Sequence, residues 1–122
     1  MRLVTWNARK GKFAQKVPLL DSLRADVAVV QEIAAPSSES ARTLWFGDNP
    51  NLGVAVVAKG DYRLRRMEQL PGVPKYVIPV SVEGPRSFTL FAVWTLGEQP
   101  TPYARAASTA IDVYEAHLHG RA

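Results

Sequence analysis

The chain reads as an α/β (α+β) protein, a mixed β-sheet with flanking helices, on three observations. Two apolar segments, residues 2–6 and 26–30, are separated by a stretch of helical spacing. Further apolar runs follow, bounded by Gly, Pro, Asn and Asp. A last stretch, residues 102–118, places small and apolar side chains at helical intervals. That order is one strand–helix–strand unit, then an antiparallel meander, then a closing helix.

Residues 2–6 form the first strand, which Gly11 breaks. Phe13, Val17, Leu20 and Leu23 keep helical spacing to residue 24, with Pro18 either starting the helix or bending it. Residues 26–30 are a β-branched apolar run without alternation, the pattern of a strand covered on both faces. A strand–helix–strand crossover is nearly always right-handed with parallel strands, so both strands end at one sheet edge. Open α/β sheets bind their ligands at that edge.

After a Ser/Pro/Ala loop at 34–41, residues 43–46 predict a short strand and 47–51 a dense turn. Residues 52–58 are the next strand, and Gly60-Asp61 predicts a tight hairpin turn into 62–67. Residues 75–82 and 87–95 are two more strands, joined by a hairpin at 83–85. Ala106, Ala110, Val113 and Leu118 mark the apolar face of the closing helix.

Composition narrows the class. A chain of 122 residues holds a single core, so residues 1–122 are read as one domain. Its 47% hydrophobic and 21% charged residues belong to a folded protein. The formal charge of +4 favours anionic partners, nucleic acid or a phosphate ester among them. The absence of cysteine excludes disulfides, thiolate catalysis and cysteine-ligated zinc. No run approaches the roughly 20 apolar residues of a membrane-spanning helix. The sequence enters a strand pattern with no charged-then-apolar leader, so a cytoplasmic location is expected.

Two polar pairs, Trp6-Asn7 and Gln31-Glu32, stand where the first two strands should end. An amide and a carboxylate on neighbouring strand ends, above a loop carrying Arg9, Lys10 and Lys12, suit cation-assisted phosphate chemistry. Read without other context, Glu32 is a solvated strand-end carboxylate and Asn7 a turn-forming amide.

The segments MRLVTWN (1–7), DVAVVQE (26–32), LGVAVVA (52–58) and FTLFAVW (88–94) change that balance. In order and spacing they resemble the endonuclease/exonuclease/phosphatase superfamily. That group includes DNase I-like nucleases, abasic-site endonucleases, inositol polyphosphate phosphatases and sphingomyelinases. Each segment alone is a weak signal; the four together are fairly specific. The resemblance covers the amino-terminal half of that family's domain, half of a four-layer α/β/β/α sandwich. The family's later Asp-x-Asn and Ser-Asp-His motifs do not occur in the chain. His117 and His119 follow no Ser-Asp and, spaced i and i+2, diverge on a helix.

The resemblance implies a metal-dependent phosphoesterase, a nuclease or a phosphatase. Glu32 would bind magnesium or manganese; Asn7 would join it in the metal site, orient that site and touch the scissile phosphate. Gln31 and Trp6 are read as structural neighbours. Lys10 is a candidate phosphate contact and Asn49, in the turn after Asp48, a candidate substrate contact. Several branches place an Asn or His after the fourth segment, where this chain has Trp94-Thr95; the Thr95 hydroxyl is the candidate there. Metal binding is expected to be weak and turnover by this chain low, since one carboxylate and one amide are few ligands. Arg63, Arg65 and Arg66 are read as a solvated sheet face, with the first two on one side.

The competing reading is non-catalytic. Half of a sandwich leaves one sheet face uncovered, so the chain would bind nucleic acid or a protein, or cover that face in a homodimer.

Overall fold

The computed structural model describes residues 1–71, 75–94, 108, 111 and 112. In chain order they form β1 (Leu3–Asn7), α1 (Phe13–Lys16), a 3₁₀ turn (Val17–Leu19), α2 (Leu20–Leu23), β2 (Val27–Ile33) and β3 (Thr43–Asn49). Then come β4 (Leu52–Ala58), β5 (Arg63–Arg66), β6 (Val77–Glu83) and β7 (Phe88–Val93). The expected helix over 13–24 is thus three short pieces, and Pro18 sits in the 3₁₀ turn where the break falls. Arg24 ends the segment at φ +52°, and the Arg2 guanidinium donates to the Leu23 carbonyl at 2.8 Å. The closing helix expected over 102–118 lies outside the described residues apart from Ser108, Ile111 and Asp112, the first and last two of which are helical.

Two sheets result, one ordered β1-β2-β4-β3 and one ordered β5-β6-β7. β1 and β2 are parallel, as a strand–helix–strand crossover requires, while β2, β4 and β3 pair antiparallel. The mixed α+β class follows directly. One expectation is corrected: Gly60-Asp61 does not close a hairpin. β4 already has β2 on one side and β3 on the other, so neither edge is free for β5. The chain instead turns at Gly60, φ +62°, and crosses to the second sheet, where β5 pairs with β6.

The apolar run of β2 is explained by what lies on each face. Val27 and Val29, with Val54 and Val56 of β4, face the second sheet and meet Leu64, Ile78, Val80, Val82, Leu90 and Ala92. Ala28 and Val30, with Ala55 and Val57, face the other way and pack under Val17 and Leu20 of the helical segment. Each fully buried valine contributes about 1.5–3 kcal/mol relative to exposure. On the far side of the second sheet, Ile111 packs against Val77. The helical segment and the two sheets therefore stack in three layers, with Ile111 set against the outer face of the second sheet. The expectation of a bare sheet face is corrected here, because the two inner faces cover each other.

A charged latch closes the flank where β3 and β5 meet. The Arg66 guanidinium donates to both Glu39 carboxylate oxygens at 2.6 and 2.8 Å and to the Trp45 carbonyl at 3.0 Å. It also stands 4.4 Å from the centre of the Phe46 ring. Arg66 is therefore a structural tie, while Arg63 and Arg65 are exposed as alternation predicts. On the opposite flank the Gln31 amide joins β1 to β7, donating to Thr5 Oγ1 at 3.0 Å and to the Val93 carbonyl at 3.2 Å. Among the described residues no helix is long and apolar enough to cross a membrane.

β3 runs on to Asn49, past the expected end at 46, because Trp45 fills the space its glycine neighbours leave. A Cβ on Gly53 would lie 2.5 Å from the Phe46 carbonyl oxygen and would also strike the Trp45 indole. The backbone atom cannot yield. Gly53→Ala should therefore destabilise the fold by about 1–3 kcal/mol, read as a lower urea midpoint at an unchanged slope. An unaltered midpoint would mean that β3 and β4 are not packed this closely.

Candidate functional site

β2 does not end at Val30. It continues through Gln31 and Glu32 to Ile33, and the reason is a β-bulge. Gln31 pairs with Val54 and Ile33 with the next residue, Gly53, so Glu32 is the extra residue. Its φ is +56°. Strict alternation would carry Glu32 to the face that Val30 occupies, under the helical layer. Burying an unpaired carboxylate there costs several kcal/mol. The bulge gives that place to Ile33, which is fully buried. A left-handed non-glycine residue costs about 1–2 kcal/mol, less than burying the carboxylate.

The loop after β1 is shaped by the same edge. Arg9 and Lys10 have φ of +54° and +67°. Three non-glycine left-handed residues thus gather where β1 and β2 leave the sheet, a concentration of strain typical of functional sites. Backbone hydrogen bonds hold them: Ala8 N–H to the Gln31 carbonyl at 2.9 Å, Lys10 N–H to the Glu32 carbonyl at 2.9 Å, and Ala34 N–H to the Gly11 carbonyl at 3.0 Å. From the other side the Trp45 indole N–H donates to the Ile33 carbonyl at 3.1 Å. Trp6 packs on the helical-layer core, as expected of a structural neighbour.

Asn7 and Glu32 meet. The Asn7 side-chain nitrogen donates to Glu32 Oε2, and Asn7 Oδ1 accepts the Arg9 backbone N–H at 2.9 Å. That second bond fixes the amide's orientation, because an N–H donor requires the oxygen opposite it. Only the nitrogen of Asn7 therefore faces the carboxylate. The arrangement makes Asn7 the residue that orients Glu32, and Glu32 the one of the two that offers carboxylate oxygen. Asn7 Oδ1, the atom a hard cation would take, is turned to the Arg9 backbone N–H.

Glu32 is the carboxylate that the pair would offer to a hard cation, and the remaining ligands would have to come from water or a bound phosphate. Among the described residues no group of three or more His, Cys, Asp or Glu side chains comes together. Magnesium commonly keeps several waters and binds through one or two carboxylates plus substrate phosphate, which asks no more of the protein than Glu32 supplies.

Beside this pair lies a cleft of about 410 Å³, walled by Lys10, Gly11 and Lys12 on one side and by Asn49, Asn51 and Leu52 on the other. The structure thus brings Lys10 and Asn49 together, but Asn7 and Glu32 do not line the cleft. Asn49 Oδ1 accepts the Asn51 backbone N–H at 2.9 Å, which closes the β3–β4 turn and leaves the Asn49 amide nitrogen to point outward as a donor. Asp48 pairs with Lys75, and that hydrogen bond holds the Lys75 ammonium above its ordinary pKa against a smaller desolvation effect. Thr95, His117 and His119 lie outside the described residues. Trp94 is buried, its ring centre 4.9 Å from that of Tyr76, and belongs to the inter-sheet core.

Sequence reasoning missed Trp45 and Gly53, which support the bulge from behind. The available signal was Ile33: an apolar residue directly after Gln31-Glu32 means that the strand resumes rather than ends. Compared with protein-family models, curated proteins and solved structures, the chain matches none.

The bulge makes a clean prediction about backbone strain. Glu32→Ala and Glu32→Gly both remove the carboxylate, so their difference reports the left-handed conformation alone. Glu32→Gly should be the more stable of the two by about 1 kcal/mol in chemical denaturation. Equal stabilities would place Glu32 in ordinary extended backbone.

Proposed function

We propose that the chain carries part of a metal-dependent phosphoesterase site, of the nuclease or phosphatase kind, acting on a phosphodiester or phosphomonoester. The observation that supports this most is the Asn7–Glu32 contact on a strained bulge at the carboxyl ends of two parallel strands. The reading takes the chain as resembling the amino-terminal half of the endonuclease/exonuclease/phosphatase domain. Glu32 anchors magnesium or manganese. When bound, the cation neutralises the phosphate and stabilises charge on the leaving oxygen. Asn7 holds one carboxylate oxygen by its N–H and is itself held by Arg9, so Glu32 is aimed before any ligand arrives. Arg9, Lys10 and Lys12 have no ion-pair partner among the described residues and draw the phosphate toward the strand ends.

In this reading Glu32, Asn7, Arg9, Lys10 and Lys12 bind and orient. Cation binding is therefore the property to measure. Calorimetric titration of magnesium and of manganese should give weak binding to the wild type and no heat of binding to Glu32→Ala. Asn7→Ala should weaken binding by about 10-fold, the usual effect of losing a residue that orients a ligand. Identical heats from all three proteins would remove Glu32 from the role.

A further inference from the structure

The 410 Å³ cleft does not stand alone. A second one, of about 450 Å³, lies between α1 and the 34–38 loop and shares Lys12 and Ala34 with the first. The two adjoin through those residues, and together their walls extend from the β3–β4 turn, past Lys10 and Lys12, to Ser37 and Ser38; we read them as one groove. Ala34, common to both, is two residues from Glu32, and its N–H bonds to the Gly11 carbonyl. The groove therefore lies against the same backbone ladder that holds the bulge.

We infer that this groove is the track for a single-stranded nucleic acid, two nucleotides of which occupy the two clefts while an adjoining phosphate reaches Glu32. The inference deepens the phosphoesterase reading and rests on it for the step at Glu32. Three features carry it. No acidic side chain lines either cleft, and Lys10 and Lys12 have no anionic partner among the described residues, so the groove presents uncompensated positive charge to a ligand. Each cleft has the volume that holds one ligand of nucleotide size, and a repeating polyanion fills both where a single phosphate monoester fills one. The walls alternate in chemistry as a nucleotide does: lysines for phosphates, Phe13 and Leu52 for the faces of bases, Asn49 with a free amide nitrogen for a base edge. A duplex keeps its bases stacked inside and cannot place them in the clefts.

Fluorescence anisotropy with a labelled oligothymidylate, in EDTA and over a range of salt, tests this with full-length protein. Wild type should bind with a log–log salt dependence. Lys10→Ala and Lys12→Ala should each weaken binding about threefold to tenfold and lower that slope by about 0.7, the contribution of one phosphate contact on a single strand. Arg65→Ala, which removes an equal charge on the far sheet face, should leave both unchanged. The inference is overturned if Arg65→Ala acts like the lysine variants, or if a duplex of matching length binds as tightly. It is also overturned if inositol hexakisphosphate or phosphatidylserine vesicles bind with the same dependence on the two lysines. Metal titration of the same protein is scored separately. Heat without strand binding defeats the groove alone; strand binding without heat defeats the metal reading alone.

Discussion

One short backbone ladder organises this end of the molecule. Residues 8–11 run beside residues 31–34, and three hydrogen bonds of 2.9–3.0 Å join them. The ladder continues the parallel pairing of β1 with β2 beyond the point where the strands separate. It holds the left-handed conformations of Arg9, Lys10 and Glu32 in place. Without it, each of those residues would relax to an ordinary conformation, and the carboxylate would lose its direction. The Asn7–Glu32 contact is a consequence of this ladder more than a cause of it, since an exposed hydrogen bond contributes little by itself.

The ladder is rigid because the layers beneath it are. Val27, Val30, Val54 and Val56 are fully buried and fix β2 and β4 against the second sheet and the helical segment. Arg66 and Glu39 secure one flank by charge, and Gln31 secures the other by an amide that reaches both sheets. Gln31 is also the residue immediately before the bulge. A packed sandwich thus ends in a strained, polar edge, and the stability of the first sustains the strain of the second. The two lysine-walled clefts open beside that edge, so the Lys10 and Lys12 ammonium groups and the Glu32 carboxylate fall within one small region.

Much of this was legible in the residues. The unalternating run of β2 announced a strand buried on both faces, and Pro18, read as starting or bending the helix, sits where the helix breaks. The pairing of Asn7 with Glu32 followed from two strand ends brought to one sheet edge. Other features were hidden because they depend on partners distant in sequence. Gly60-Asp61 looked like a hairpin turn; only the insertion of β4 between β2 and β3 denies β5 that pairing. Arg66 looked solvated, since nothing local says that Glu39, 27 residues earlier, lies across the flank. The left-handed backbone at Glu32 had no glycine to advertise it. The amide orientation that makes Asn7 an aiming residue depends on the Arg9 backbone, which no side-chain pattern encodes.

The account stands on Glu32 being a cation ligand that Asn7 holds ready. Paramagnetic line broadening of the amide NMR spectrum by substoichiometric manganese locates the bound ion without requiring turnover. The account predicts that the Asn7 side-chain amide and the Lys10 and Ala34 backbone amides broaden first, and that Glu32→Ala abolishes the effect. Broadening centred on Glu39 or Asp48, with the Asn7 signals left sharp, would contradict it.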